Sequence, residues 1–275
     1  LKSLTGFKEM NLDEYFQRIG FHGSCEKADL ATLKVIHKLH VMTIPFENLS
    51  IHCGERISMN LELIFNKLVR SKRGGWCLES NYLFGWVLRA MGFNATTLGA
   101  SVYSSILNAY FPGENHLINR VIVDGKAYIT DVSFGVSSQV WEPLELISEK
   151  DQPQAAGVFC LTNNGDMWVL EKSSRKPVVM NPDFAKSTLV NRKEKYVPSS
   201  LFTNKSICSL QTPTGFRALV GWTFSEVTYK PEEGVDLIDM RDMSDDEIEI
   251  ALREKFNVFL TNKLKPQNQK ASYTI

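Results

Sequence analysis

Over the first third of the chain, apolar residues recur at helical spacing. Leu12, Tyr15, Phe16 and Ile19 fall at i, i+3, i+4 and i+7 behind Asn11, whose short polar side chain suits an N-cap, and Gly20 ends the run. A second helix opens at Asp29 and continues through Leu30, Leu33 and Ile36. Pro45 cannot continue it, so Ile44-Pro45-Phe46-Glu47-Asn48-Leu49 is expected to turn or run extended. Asn60 then caps a third helix carrying Leu61, Ile64, Phe65 and Leu68 on one face. A fourth begins at Cys77 and runs through Leu83, Trp86, Val87 and Ala90, with Gly92 as its C-terminal cap.

From Ala95 the period changes. Thr96 to Tyr103, Leu117 to Val123, Lys126 to Asp131, Val158 to Leu161 and Met167 to Leu170 are short, β-branched or aromatic, and bounded by turn residues. Asp124-Gly125 is the strongest of these turns, because a two-residue type I′ hairpin needs positive φ at both central positions. It fixes a register in which Val123 faces Lys126 and Ile118 faces Asp131. Ser244-Asp245-Asp246-Glu247 then forms a capping box for a last helix through Ile248, Leu252 and Phe256.

Composition narrows the class of protein. At 275 residues, 43% hydrophobic and 23% charged, the chain can bury a large core. Lys plus Arg and Asp plus Glu balance at 31 each, and no basic run is interleaved with aromatics, so neither nucleic acid nor an anionic membrane is implied as partner. No apolar stretch is long enough to cross a bilayer. Residues 1–9 read as an extension ahead of Met10. Cys25, Cys53, Cys77, Cys160 and Cys208 are odd in number, far apart and never in a C-x-x-C pair. That argues against a disulfide framework or a zinc site and for a reducing cytoplasm.

The candidate chemistry starts at Arg73-Gly74-Gly75-Trp76-Cys77-Leu78-Glu79, where a cysteine follows two glycines at a helix start. Unsatisfied N–H groups and the helix dipole favour a thiolate there, and the glycines allow a sharp turn and close approach of another molecule. Taken alone, such a cysteine can equally be a small buried hydrophobe. The hairpin supplies its partners. His116 lies two residues beyond Ile118, on the same face and diagonal to Asp131, at roughly 7–8 Å between Cα atoms. A polar cross-strand pair serving solubility is the plain alternative. With Cys77, and with the loop Phe111-Pro112-Gly113-Glu114-Asn115 just before it, the pair reads instead as a base and its orienting carboxylate. His22, His37, His40 and His52 have no such partner in the pattern and read as structural.

Cys, His and Asp in this order resemble the transglutaminase and papain-like superfamily. The closer resemblance is to the vertebrate arylamine N-acetyltransferases, through the Arg73 to Glu79 motif, Ile44 to Gly54, Asp131-Val132-Ser133-Phe134-Gly135, Trp141 to Ile147, Lys205 to Pro213 and the terminal Tyr273-Thr274-Ile275. The likeness runs over nearly everything from Met10 to Ile275. It implies an α+β fold around a cysteine-protease-like Cys-His-Asp core. Its parts are a helical bundle (10–92) carrying the nucleophile, a β-barrel (93–199) carrying histidine and aspartate, and an α/β lid (200–275) whose tail returns toward the active site. It also implies ping-pong acetyl transfer from acetyl-CoA, through an acetyl-Cys77 thioester, to an arylamine, hydrazine or N-hydroxyarylamine, by a monomer without metal. By position, Pro112, Gly113, Ser199 and Ser272 fall at coenzyme contacts. Phe46, Val102, Asn115, His116, Phe134 and Phe202 fall at the acceptor site. Acyl transfer on peptides by the same triad, and a non-catalytic binding protein on the same scaffold, are the competing readings; against the transglutaminases, Trp76 precedes the cysteine rather than following it.

Two positions depart from the family pattern. Between Lys195 and Pro198 the chain lacks a segment at least a strand long that includes a coenzyme-associated tyrosine, for which Tyr196 is no sure equivalent. Val136 and Ser138 occupy places that vary with acceptor preference. The small Ser138 is expected to leave room for bulky arylamines, so Ser138→Tyr should shift relative acetylation rates toward small acceptors. Unchanged selectivity in that comparison would overturn the expectation.

Overall fold

The computed structural model describes residues 9–23, 27–104, 107–181 and 201–266. The periodic segments of the first third form α1 (Leu12–Ile19), α2 (Leu30–Thr43), α3 (Leu49–His52), α4 (Leu61–Phe65) and α5 (Cys77–Ala90). The expected caps are made: Asn11 accepts from the Asp13 N–H at 2.6 Å, Asp29 from Thr32 at 2.8 Å and Asn60 from Leu63 at 3.1 Å. Gly92 follows α5 at φ 87°, a conformation glycine adopts without steric cost. The third run does not stay α-helical through Leu68. After Phe65 it widens into a π-helical turn, Asn66–Arg70, closed by the Ser71 N–H on the Asn66 carbonyl at 2.8 Å. In this turn the successive Leu68 and Val69 are both buried, while Lys67 and Arg70 reach the carboxylates of Glu79 and Glu14. The segment after Pro45 is extended only at Phe46–Glu47 (β1), then turns helical as α3.

The middle of the chain forms open sheets, not the expected barrel. Strands β2 (Asn94–Ala100), β5 (His116–Val123), β6 (Lys126–Thr130) and β7 (Leu144–Glu145) make a four-stranded antiparallel sheet in that order. Between β2 and β5, β3 (Tyr103–Ser104) and β4 (Ala109–Tyr110) pair as a separate small hairpin. A three-stranded sheet, β8 (Lys150–Gln154), β9 (Gly157–Asn163) and β10 (Trp168–Ser173), stands apart, with β9 at its centre. Closure would require both edges of a sheet to find partners. Among the described residues, β2 and β10 each pair on one side only, and β7 is two residues long.

The six-stranded sheet of the last third draws on the whole chain. β12 (Ile207–Thr212), β13 (Gly215–Val220), β14 (Thr223–Lys230) and β15 (Val235–Asp242) are extended at one edge by β1 and at the other by β11 (Lys176–Val179), which runs parallel to β15. Strand alternation gives this sheet two apolar faces. Phe216, Ala218, Val227, Tyr229 and Ile238 join the main core with the helices and the other sheets. Cys208, Leu219 and Phe224 pack under the C-terminal helix Asp245–Phe256, whose Ser244–Glu247 capping box forms as expected.

Arg18 ties the helical part together without a carboxylate partner among the described residues. Its guanidinium donates to the carbonyls of Leu68 (3.0 Å), Thr43 (3.2 Å), Lys72 (3.4 Å) and Arg73 (3.5 Å), collecting the oxygens left over where α2 and the π-turn end. Burial, only partly offset by Tyr15, lowers its pKa to about 10. Arg18→Met should strand these acceptors and cost about 3 kcal/mol of stability. A urea midpoint that barely moves would show the carbonyls to be satisfied another way.

Candidate active site

Cys77 is the first residue of α5 and is 5% exposed. The two glycines before it serve a purpose other than the one expected. Neither has positive φ, and a Cβ on Gly74 would lie 2.2 Å from the Pro45 carbonyl oxygen, so the space is filled by the chain itself. The close approach is stitched by Gly75 N–H to Pro45 O (3.2 Å) and Glu47 N–H to Gly75 O (3.0 Å), which places β1 beside the start of α5. A buried ion pair locks the same junction. Arg73 Nε donates to Glu47 Oε1 at 3.0 Å and Nη1 to Glu55 at 3.3 Å, while Glu47 Oε2 accepts the Leu49 N–H at 2.7 Å. Burial pulls the Arg73 pKa down, but the two carboxylates outweigh it and raise it.

The hairpin delivers the expected pair. Asp124 and Gly125 have φ of 48° and 75°, and Val123 pairs with Lys126. His116 Nε2 and Asp131 Oδ2 are 2.6 Å apart. With Nε2 engaged, Nδ1 is the ring nitrogen left for the thiol, and Cys77 is close enough to act on the titration of the ring. Burial alone would lower the His116 pKa; the Asp131 charge and bond, with the Cys77 contact, override it and raise the value to about 10. For Asp131, burial pushes upward, but His116, Asn81 and the Ser133 N–H win and hold it below its ordinary value.

Three residues that the pattern did not single out complete this arrangement. Asn81, one turn after Cys77 on α5, donates Nδ2 to Asp131 Oδ1 (2.9 Å) and accepts the Val132 N–H (2.9 Å). His37 accepts the Asp131 N–H on Nε2 (3.2 Å) and donates from Nδ1 to the Trp141 carbonyl (2.9 Å), so it has a partner at the site after all. Gln139 donates to the Asp131 and Val140 carbonyls and accepts the Phe134 and Gly135 N–H groups at 2.9 and 3.1 Å. For Asn81 the signal was available, since i+4 from Cys77 lies on the same helix face. For His37 there was none, because its contacts cross 94 and 104 residues of sequence; those of Gln139 are local, within its own loop, but no periodic element sets the fold of that loop.

The other expected site residues are partly gathered here. Phe134, 38% exposed, meets the His116 ring edge-on at 5.2 Å, and Phe46 lies against Gly135, where a Cβ would come within 3.0 Å of its ring. Asn115 Oδ1 accepts the Val102 N–H at 3.0 Å, fastening the strand before the β3–β4 hairpin to the residue preceding His116. Pro112 and Gly113 form an open turn between β4 and β5, with Gly113 at φ 71° and its carbonyl held by Ser101 Oγ at 2.9 Å. Phe202 falls on the short helix Leu201–Asn204, its side chain outside the described part. Ser199, Ser272 and the Lys195–Pro198 stretch also lie outside the described residues. Among the described residues no His, Cys, Asp and Glu cluster suits a metal ion, and no helix is long and apolar enough to cross a membrane.

A thiol at a helix start, an imidazole and a buried carboxylate form the kind of geometry on which thiol-dependent acyl transfer runs. Comparison with known proteins agrees in class. The family model described as N-acetyltransferase matches residues 29–265. The chain is 47% identical over 290 aligned residues to the pineal gland isozyme NAT-10 arylamine N-acetyltransferase of Gallus gallus, covering 97% of this chain and all of that one. It is 40% identical over 290 residues to arylamine N-acetyltransferase 1 of Homo sapiens, again over 97% of this chain and 100% of the relative. Because 290 positions exceed the 275 residues of the chain, these relatives carry residues with no counterpart here. Among solved structures, the arylamine N-acetyltransferase of Salmonella typhimurium superposes with a TM-score of 0.76 at 25% identity, covering 98% of this chain and 96% of that one. The Mycobacterium marinum enzyme in complex with CoA shares the fold, with a TM-score of 0.72 at 23% identity over 90% and 93% of the two chains. The chain belongs to the arylamine N-acetyltransferase family.

The raised His116 pKa contributes stability that is complete below the unfolded value near 6.5 and is lost as pH rises through about 10. In Asp131→Asn, burial should act on the ring with little opposition and bring its pKa below 6.5. The variant should then lack the fall in thermal midpoint that the wild type shows between pH 6.5 and 10. Side-chain NMR titration of His116 checks the cause; an imidazole still titrating near 10 in the variant would contradict it.

Proposed function

We propose that this protein transfers acetyl groups from acetyl-CoA to arylamines in two half-reactions, with Cys77 as nucleophile, His116 as base and acid, and Asp131 as the group that orients and charges the imidazole. The observation that carries the reading is the buried His116–Asp131 pair at 2.6 Å, with Cys77 at the start of α5 close enough to help raise the His116 pKa. Because a His116 pKa of about 10 keeps the ring protonated near neutrality, the cycle starts from the ion pair in which His116 already holds the thiol proton, and in the first half-reaction the sulfur attacks the thioester carbonyl of the donor. The tetrahedral intermediate expels the CoA thiolate, which leaves with that proton, and acetyl remains on Cys77. In the second, the amine attacks the acetyl carbon and gives its proton to His116, and the Cys77 thiolate departs. Asp131 keeps Nδ1 turned to sulfur by occupying Nε2, and Asn81 keeps the carboxylate in place.

The donor fits from the side of the open Pro112-Gly113 turn, next to the strand that carries His116, with Ser199 and Ser272 as further contacts on the family pattern. Phe134 and Phe46 offer flat apolar walls beside His116, suited to an aromatic amine, hydrazine or N-hydroxyarylamine, with Val102, Asn115 and Phe202 completing the acceptor site. We read the protein as a cytoplasmic monomer, in keeping with the free Cys53, Cys77, Cys160 and Cys208. Mixed with acetyl-CoA alone, the protein should gain the mass of one acetyl group, and Cys77→Ala should not. No adduct on the wild type, or thiol-dependent cleavage of peptides in its place, would overturn the proposal.

A further inference from the structure

The loop between β6 and β7 turns at Val136, a β-branched residue at φ 42°, a strained conformation that persists only when its surroundings impose it. Those surroundings come from other sheets. From β12, Ser209 Oγ accepts the Val136 N–H at 3.3 Å and Gln211 Nε2 donates to the Val136 carbonyl at 2.9 Å. From β10, the Lys172 ammonium crosses over and donates to the Ser137 carbonyl. A path for its stem is kept open by Gly157, where a Cβ would sit 2.7 Å from Lys172 Cε. Lys172 therefore leaves the three-stranded sheet to fix a loop of the four-stranded one, the loop that carries Phe134 against His116.

We propose that Lys172 is a positioning residue for the acceptor step: its ammonium, bonded to the Ser137 carbonyl, sets the face of the Phe134–Ser138 loop against which the aromatic amine lies. This rests on the acetyl-transfer reading above. Being charge-assisted, the bond weakens when the ammonium loses its proton. Burial lowers the Lys172 pKa to about 8; among the charged groups of the described residues, Asp236 on β15 opposes that shift and Arg175 adds to it. The acceptor site is thus tied to a proton whose loss falls just above neutrality, separate from the catalytic histidine.

In ping-pong kinetics kcat/KM for donor and for acceptor are read independently, so the two steps can be separated. Lys172→Met should lower kcat/KM for an arylamine about tenfold and leave kcat/KM for acetyl-CoA within about twofold, as expected for lost positioning and not lost chemistry. The wild type should lose acceptor kcat/KM as pH rises through about 8. Lys172→Arg, charged throughout, should keep it, and the Met variant should be low at every pH. Hydrogen exchange provides a readout free of turnover: the Phe134 and Gly135 amides should exchange faster in Lys172→Met and normally in Lys172→Arg. Equal loss for donor and acceptor, unaltered loop exchange, or an unaltered acceptor constant each overturns the inference. A wild type that never acetylates Cys77 would instead overturn the reaction on which it rests, so the two failures are distinguishable.

Discussion

The structure turns on the complete satisfaction of Asp131. One carboxylate oxygen meets His116; the other accepts from Asn81 and from the Ser133 amide. Its N–H is taken by His37 and its carbonyl by Gln139. A buried carboxylate left unpaired costs several kcal/mol, and this one is tolerated because α2, α5, β5 and the β6–β7 loop all converge on it. The dependence is mutual. Those elements meet at one point, and Cys77 at the start of α5 is placed relative to the imidazole through Asn81, one turn further along the same helix.

Around that centre, long-range contacts outweigh local ones. Cys77 is located by β1 through Gly74 and Gly75, and β1 is itself the edge strand of a sheet built mostly from the last third of the chain. The Glu47–Arg73 pair seals the junction; removing either partner would leave the other charge buried and alone, which is far costlier than the pair's net worth. No one stretch of sequence therefore makes the site on its own. The helices provide the thiol, the hairpin the imidazole and carboxylate, and the six-stranded sheet the walls that hold both in register.

Local rules carried much of this into the sequence. Helix starts at Asn11, Asp29, Asn60 and Ser244 were legible because capping is a short-range hydrogen bond. The Asp124-Gly125 turn was enough to bring His116 and Asp131 together, since a two-residue loop leaves one register. What local rules could not carry was the pairing of edges. Whether β10 closes a barrel or stays an edge, and whether Phe46–Glu47 finds β12 over some 160 residues of separation, depends on tertiary packing. The glycines before Cys77 show the same limit: their smallness was evident, but the Pro45 carbonyl that requires it was not.

His37 and His40 lie one turn apart on α2, both fully enclosed. His37 needs one nitrogen bare to receive the Asp131 amide, and His40 Nδ1 shares a hydrogen bond with the Tyr15 hydroxyl at 2.8 Å. Burial holds the first near pKa 4 and the second well below its ordinary value. Both rings therefore stay neutral in the native protein at a pH where the unfolded chain would already have protonated them. As pH drops below about 6.5, each becomes a proton sink available only by unfolding, and the two act together. The helix that steadies the buried Asp131 carboxylate thus also sets an acid limit on the fold, imposed from the core by two neutral imidazoles.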